Sequence, residues 1–436
     1  MKVLVFGLGK SGRALLSFYK DKAELWVYDD KEVDLEKLGL EFGKLEFYNP
    51  DVDYDLLALS PGPSPDHPVI KELRKKGISI KGELEIAYEH LKGNILAITG
   101  TNGKTTTTSL LKAMVEKQFS RTFVAGNIGI PLIGYVLDSK EGDSYVVEVS
   151  SFQLETMVDF SPSISAILNI TPDHISWHGS MEKYIDAKFR LWEKGFSKQK
   201  KIFNADQSFL LDQIIQRYGT TEEFYSFSTY KKLDRGAYME DGILYLALDE
   251  RVELLALKDL ALKGEHNLSN ALAASLMASL YGVKTEIIAE VLKEFEGLEH
   301  RYEVLEELKG RRFINDSKAT NVDSTLPALK SALRPTVLIA GGMDKKVPLA
   351  PLFEAWNPAI KHLVLFGETK LQLGELAKGI CDVYIVDNLE EAFSKAMDLS
   401  KPGWDILFSP ACASWDMYEN FEVRGEHFKK LHGRLR

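Results

Sequence analysis

Cysteine is scarce: Cys381 and Cys412 are the only two in 436 residues. That count excludes a disulfide framework, and neither residue stands at a metal-ligand spacing from other ligands. Long apolar runs are missing as well. No segment approaches the roughly 20 apolar residues that span a bilayer, and the short run at residues 2–6 falls well below a signal peptide. Positive charge is not in excess: 64 acidic against 54 basic residues give a net charge of −10, with the signs interspersed. No basic footprint for nucleic acid results. These absences predict a cytoplasmic chain, monomeric, with neither membrane nor nucleic acid as partner. The apolar and charged fractions are ordinary, and the length predicts about three domains, each able to bury a core.

What is present starts at Gly100-Thr101-Asn102-Gly103-Lys104-Thr105-Thr106. Residues 94–98 before it read as a buried strand and residues 105–117 after it as an amphipathic helix. Strand, glycine-rich turn, Lys-Thr and helix together form a nucleotide-phosphate site. The glycines let backbone N–H groups converge on anionic oxygens, and the helix N-terminus adds partial positive charge. Lys104 then reaches the terminal phosphates of ATP while the Thr105 hydroxyl ligates Mg²⁺. The general pattern places a glycine where Ile98 stands, so only its shorter core is present.

Strand-like and helix-like segments alternate in three blocks: 1–92, 93–297 and 298–436. Short apolar strands are expected at 2–6, 24–28 and 56–59 in the first. The second has them at 122–125, 145–149, 164–169 and 201–203. The third has them at 312–314, 337–340, 363–366, 383–386 and 406–408. The alternation predicts an α/β fold of three domains, each a mainly parallel sheet flanked by helices. The first and last read as Rossmann-like and the middle one as P-loop ATPase-like. Ligands of such sheets lie beyond the carboxyl ends of the strands.

In the first block, Gly7-Leu8-Gly9-Lys10-Ser11-Gly12 follows a strand, with Asp29 at the distance expected of a dinucleotide fingerprint. The pattern shows close approach of backbone to a phosphate, not whose phosphate it is. A nucleotide diphosphate, a nicotinamide dinucleotide and a merely structural turn all satisfy it. The separate phosphate loop at Gly100 disfavours a one-cofactor dehydrogenase, which NADH titration would detect. Ser60-Pro61-Gly62-Pro63 forms a rigid turn on the same edge.

In the second block Glu148 exits a strand beside the phosphate loop, where an NTPase places a metal-binding acid; a solvated strand-end Glu is the alternative. Asn169-Ile170-Thr171-Pro172-Asp173-His174 and His178 follow, with only loose metal-ligand spacing. Lys188, on a helical pattern, reads by default as a solvated cation. Asn267 and Asn270 share a helix face and could read a base edge, or Asn267 could cap the helix. In the third block, Asn315-Asp316-Ser317-Lys318-Ala319-Thr320-Asn321 and Ser409-Pro410-Ala411-Cys412-Ala413-Ser414 each follow a strand and are too polar and small-residue-rich for simple turns. Both read as substrate loops.

The order Gly-Thr-Asn-Gly-Lys-Thr, Glu-x-Ser-Ser-Phe-Gln, Asp-His-x₃-His-Gly-x₄-Tyr-x₂-Ala-Lys, His-Asn-x₂-Asn, His300-Arg301 and Asp-Ser-Lys-Ala-Thr-Asn resembles the Mur ligases, from Gly7 to Gly425. These enzymes build the peptide stem of peptidoglycan by ATP-dependent amide formation. The two loops of the third block resemble those of the members that add D-glutamate to UDP-N-acetylmuramoyl-L-alanine; a related ligase with another amino acid or acceptor, such as a folate, is the alternative. The resemblance implies that the first block holds the UDP part of the substrate through Gly9, Lys10, Ser11, Gly12, Asp29, Ser60, Pro61 and Gly62. Asn127, Ser150 and Gln153 would face its muramoyl end. Gly100 to Thr106, Asn270, Arg301 and Asp316 would bind ATP. The lysine matching Lys188 is carbamylated in this family, which implies an anion able to hold a second Mg²⁺ with His174, beside the ion at Thr105 and Glu148. Lys104, Glu148, His174 and Lys188 would be the catalytic set, and Lys318, Thr320, Lys345, Ser414 and Phe421 would line the amino-acid pocket.

The implied mechanism is an acyl phosphate attacked by the amine of D-glutamate, with closure of the third block over the second and Gly297 as a hinge. After Gly341-Gly342 the chain reads Met343-Asp344-Lys345-Lys346, where the family commonly has Gly and an acidic residue after the lysine. The extra cation bears on which amino acid is accepted.

Overall fold

The first sheet is built on apolar runs too short for helices and bounded by glycine and charge. In the computed structural model, which describes residues 1–194, 199–262, 264–345 and 347–436 but not the side chains of Ser176 and Asp323, five parallel strands stand in the order Leu45–Phe47, Glu24–Tyr28, Lys2–Phe6, Leu56–Leu59, Ser79–Gly82. Val3, Leu4, Val5 and Leu57 are fully buried, as parallel strands covered on both faces require.

The second sheet has nine strands. Its parallel part runs Thr122–Gly126, Ser144–Glu148, Asn94–Thr99, Ile164–Ile167, Lys200–Asn204, Phe224–Ser228 and Gly236–Glu240. An antiparallel meander through Ile243–Ala247 and Arg251–Ala256 closes one edge. Helix Lys104–Glu116 buries Leu110, Leu111, Met114 and Val115 against helix Glu265–Tyr281, whose Ala271, Ala274 and Ala278 let the two approach closely. Each such buried Leu is worth about 2 kcal/mol.

These two sheets belong to one compact unit, Met1–Phe295. The second unit, Glu296–Arg436, carries a six-stranded sheet in the order Glu303–Val304, Arg312–Asn315, Asp405–Phe408, Thr336–Gly341, Ile360–Phe366, Asp382–Ile385. Only its two-residue edge strand is antiparallel. No helix among the described residues is long and apolar enough to cross a membrane.

Candidate active site

The phosphate loop sits where the central strand Asn94–Thr99 gives way to helix Lys104–Glu116. Gly103 must be glycine: its φ is +84°, and a Cβ there would collide with the Asn270 side-chain oxygen. The loop is laced to the segment after strand Ile164–Ile167. Asn102 N–H donates to Asn169 Oδ1 at 2.8 Å, Asn169 Nδ2 donates to the Asn102 carbonyl at 2.9 Å, and Thr101 Oγ1 donates to the Thr171 carbonyl at 3.1 Å. Lys104 Nζ donates to the Gly100 and Thr101 carbonyls, both at 2.8 Å, so its charge is folded over the loop it serves.

Glu148 lies opposite both Ile98 and Gly126 in the sheet, one strand over from the loop. It is 2 % exposed; Oε1 accepts from Asn127 Nδ2 at 2.8 Å, while Oε2 is buried with no hydrogen-bond partner. A buried carboxylate oxygen without a partner costs several kcal/mol unless a cation supplies what is missing. With the hydroxyl of half-buried Thr105 in the first turn of the helix after the loop, the donor set is the all-oxygen kind that suits Mg²⁺.

Lys188 is not a solvated cation. It is 1 % exposed on helix Met181–Phe189, its Nζ lies 4.6 Å from the Tyr184 ring centre, and it forms no hydrogen bond or ion pair with any described residue. Burial, reinforced by the charge of Lys104, pulls its pKa well below the usual lysine value. The Tyr184 hydroxyl meets Thr101 Oγ1 at 2.9 Å, so one side chain ties the phosphate loop to the lysine.

His174 adopts a left-handed backbone (φ +53°), rare outside glycine and asparagine, and its ring packs 4.7 Å from Phe152. Its Nε2 lies 3.5 Å from Asp173 Oδ2. His178 is a satisfied polar group instead of a ligand: it is buried, bonds Ser151 Oγ at 2.9 Å and stacks on Phe152. Burial first, and then Lys188 and His174, pull its pKa down to about 4. Ser150 and Gln153 form a reciprocal capping box on helix Ser151–Leu154. Asn270, 5 % exposed, bonds Thr107 and Asn267 as well as crowding Gly103, so it faces the phosphate loop. Gly264 caps that helix, and Asn267 does not.

In the first sheet, Gly12 approaches the Gly7 carbonyl so closely that a Cβ would collide with it, and helix Lys10–Tyr19 starts at Gly9 without a side-chain cap. Lys10 and Ser11 open that helix. Asp29 accepts the Leu8 N–H at 2.6 Å and the Lys31 N–H at 2.9 Å, which fixes the turn. Ser60, Pro61 and Gly62 line a cleft of about 280 Å³ together with Phe152, Gln153 and Trp177. Trp177 Nε1 donates to the Gly62 carbonyl at 3.0 Å, joining the Asp173-His174 segment to that turn.

Within the second unit, Asp316 is buried and accepts from Tyr302 N–H at 3.0 Å and Ser409 Oγ at 2.6 Å, which joins its two polar loops. Desolvation pushes its pKa up to about 7 despite those bonds and the charge of Arg301. Lys318 Nζ lies 5.4 Å from the Phe421 ring, and Thr320 N–H donates to the Lys318 carbonyl at 2.8 Å. Ser414 is buried, and its carbonyl accepts from Met417 and Tyr418 N–H. Lys345 is described, but the neighbouring Lys346 lies outside the described residues. The chief omission of the sequence reading here is Arg424, fully buried, which donates to the carbonyls of Cys412, Ala413 and Ser317 and to Ser317 Oγ. A lone arginine in helix Phe421–Gly433 carries no motif that could flag it. Asn169, Tyr184 and Trp177 stood within motif segments but had no assigned role.

Two family models match the chain, the Mur ligase middle domain over residues 98–278 and the Mur ligase glutamate ligase domain over residues 300–412. The chain belongs to the Mur ligase family. Among its relatives, a UDP-N-acetylmuramoylalanine–D-glutamate ligase of Thermoanaerobacter pseudethanolicus is 43 % identical, over 100 % of this chain and 98 % of that protein. One of the same name from Clostridioides difficile is 41 % identical, over 98 % and 97 %. Solved structures share the fold: MurF of Acinetobacter baumannii with a TM-score of 0.61 at 17 % identity, covering 100 % of this chain and 93 % of that one, and the UDP-N-acetylmuramate–alanine ligase of Thermotoga maritima with 0.59 at 18 %, covering 100 % of both.

Proposed function

We propose that this ATP-dependent ligase joins D-glutamate to UDP-N-acetylmuramoyl-L-alanine through an acyl phosphate. The observation that carries the chemistry is the meeting, in one unit, of a phosphate loop, the partnerless carboxylate oxygen of Glu148 and the buried, unpaired Lys188. The specificity rests on the relatives' shared name together with the polar loops at Asp316 and Ser409.

A carboxylate is a poor electrophile. Its oxygen therefore attacks the γ-phosphorus of ATP, forming a C–O–P link while the β–γ bridge breaks and ADP leaves. The amine nitrogen of D-glutamate then attacks the acyl carbon. A C–N bond forms, the C–O bond to phosphate breaks, and the nitrogen gives up its extra proton. Lys104 and the loop N–H groups offset the charge that gathers on the transferring phosphoryl group. Bound Mg²⁺ would supply further charge neutralisation there, held by Thr105 and Glu148. Carbamylation of Lys188 would convert its buried amine into an anion able to hold a second Mg²⁺ with His174; the downward shift of the Lys188 pKa by burial supports this, because it favours the free amine, the form that adds CO₂. To His174 we assign the orientation of the incoming amine or the removal of its proton.

We assign residues 1–92 to the UDP moiety, with Gly9, Lys10, Ser11, Gly12 and Asp29 at the diphosphate end and Ser60, Pro61 and Gly62 on the cleft. Residues 93–297 serve ATP, with Asn127, Ser150 and Gln153 toward the muramoyl end. Residues 298–436 serve the amino acid through Lys318, Thr320, Lys345, Ser414 and Phe421, and Asn270, Arg301 and Asp316 serve the nucleotide. The enzyme works in the cytoplasm, as a monomer. Phosphate release from ATP and Mg²⁺ tests the assignment, with amino acids supplied one at a time. Release that needs UDP-N-acetylmuramoyl-L-alanine and favours D-glutamate is expected. Preference for another amino acid moves the assignment to a sister specificity, and no release in any combination discards the muramoyl substrate.

A further inference from the structure

Two aromatic side chains in the second unit each carry a lysine of the proposed amino-acid pocket. Lys318 Nζ stands 5.4 Å from the Phe421 ring centre, and Lys345 Nζ stands 5.6 Å from that of Trp415. Both distances fall within the range of a cation–π contact. Phe421 opens helix Phe421–Gly433, and Trp415 directly follows Ser414. Trp415 is 64 % exposed, an unusual setting for an indole.

The backbone around Trp415 is fixed from several sides. Met343 N–H donates to the Ala413 carbonyl at 2.9 Å, and Gly341 N–H donates to the Pro410 carbonyl at 2.9 Å, so the loop that bears Lys345 is paired with the one that bears Trp415. Tyr418 N–H donates to the Ser414 carbonyl at 2.8 Å, and Asp416 accepts the Glu368 N–H at 3.2 Å. Arg424 holds the Cys412 and Ala413 carbonyls from below. The ring is thus borne by a loop fixed at several points, beside an exposed lysine.

We propose that Trp415 is a positioning residue for the amino-acid substrate: its indole holds the Lys345 ammonium where a carboxylate of the incoming dicarboxylic amino acid is bound. An exposed lysine loses rotamer freedom when it closes on an anion, and a ring that already restrains it removes part of that loss. The same ring shields the ion pair from water and strengthens it. The inference rests on the assignment of Lys345 to the amino-acid pocket.

Steady-state kinetics of Trp415→Leu, Trp415→Phe and Lys345→Ala, varying each substrate in turn, test it. Trp415→Leu raises the KM for D-glutamate about fivefold, the factor that one exposed cation–π contact supplies, with the KM for ATP and for the UDP substrate unmoved. Trp415→Phe, which keeps a ring, recovers most of that loss. D-glutamate also changes the tryptophan emission of the wild type, and Trp415→Phe abolishes that change although the other five tryptophans remain. An unchanged KM for D-glutamate in Trp415→Leu, or an equal rise for all three substrates, overturns the proposal. If Lys345→Ala is itself indifferent to D-glutamate, the pocket assignment fails instead, and the two failures are told apart.

Discussion

An ammonium removed from water must find a counter-charge or give up its proton, and for Lys188 burial and the charge of Lys104 outweigh the opposing pull of the Asp173 carboxylate, with which it forms no ion pair. Burial favours the free amine, which is nucleophilic, whereas the ammonium of a solvated lysine is not. Lys188→Ala should lower kcat by about 10²–10³, the loss expected of one preorganised charge-stabilising group, and short carboxylic acids should restore part of it; near-normal turnover in the variant would contradict the carbamate reading. Glu83 offers a second case in which the sign can be worked out. It is 1 % exposed, accepts the Ile133 N–H at 2.8 Å, leaves Oε2 unpaired, and is pushed up to about 7 by burial. Its folded pKa lies above its unfolded one, so the folded state keeps the proton longer. Stability falls as pH rises from the unfolded value of 4.5 to about 7 and is flat beyond. Glu83→Gln should therefore gain on the wild type in thermal melts at pH 8 relative to pH 5. A pH-independent difference would refute the account. Neither environment was legible in the sequence, because nothing local distinguishes a buried lysine or glutamate from an exposed one; the resemblance alone marked Lys188.

The elements that carry the site are those with the strongest local signals. The strand before the phosphate loop and the helix after it were predicted within a residue of their observed bounds, Asn94–Thr99 and Lys104–Glu116. Apolar runs ending in glycine leave little freedom. The meander from Gly236 to Ala256 escaped the reading because it breaks the strand–helix alternation: its strands follow one another as hairpins, and the last of them, Arg251–Ala256, begins exposed and charged. At this scale Gly103→Ala is the sharpest perturbation. It combines a strained positive φ with a clash against Asn270, so ATP turnover should fall at least tenfold and stability by about 1–3 kcal/mol, checked by kinetics and thermal melts. Glu85, fully buried, accepts the N–H groups of Val158, Asp159 and Phe160 at 2.8–3.2 Å and so ties helix Glu83–His90 to the turn before strand Ile164–Ile167. Glu85→Ala strands three donors and should cost about 3 kcal/mol by urea unfolding, while a loss under about 0.5 kcal/mol would show that water replaces the carboxylate.

At the scale of the whole molecule, three sheets carry three sets of chemistry-bearing residues. The first carries a glycine turn, the second a phosphate loop with its carboxylate and lysine, and the third two polar loops joined by Asp316–Ser409 and by Arg424. Their α/β character was legible because strand–helix alternation is a property of the chain itself. How side chains from separate segments converge was not: Tyr184 on Thr101, Trp177 on Gly62 and Arg424 under both loops are long-range contacts that no spacing encodes. The central claim is that ATP activates the substrate's carboxylate as an acyl phosphate. It is tested most directly by labelling the terminal alanine carboxylate of UDP-N-acetylmuramoyl-L-alanine with ¹⁸O and analysing the phosphate released in the presence of ATP and D-glutamate. One ¹⁸O per phosphate is the predicted result. Amide product accompanied by unlabelled phosphate would contradict it, because the carboxylate oxygen would then never have been bonded to phosphorus.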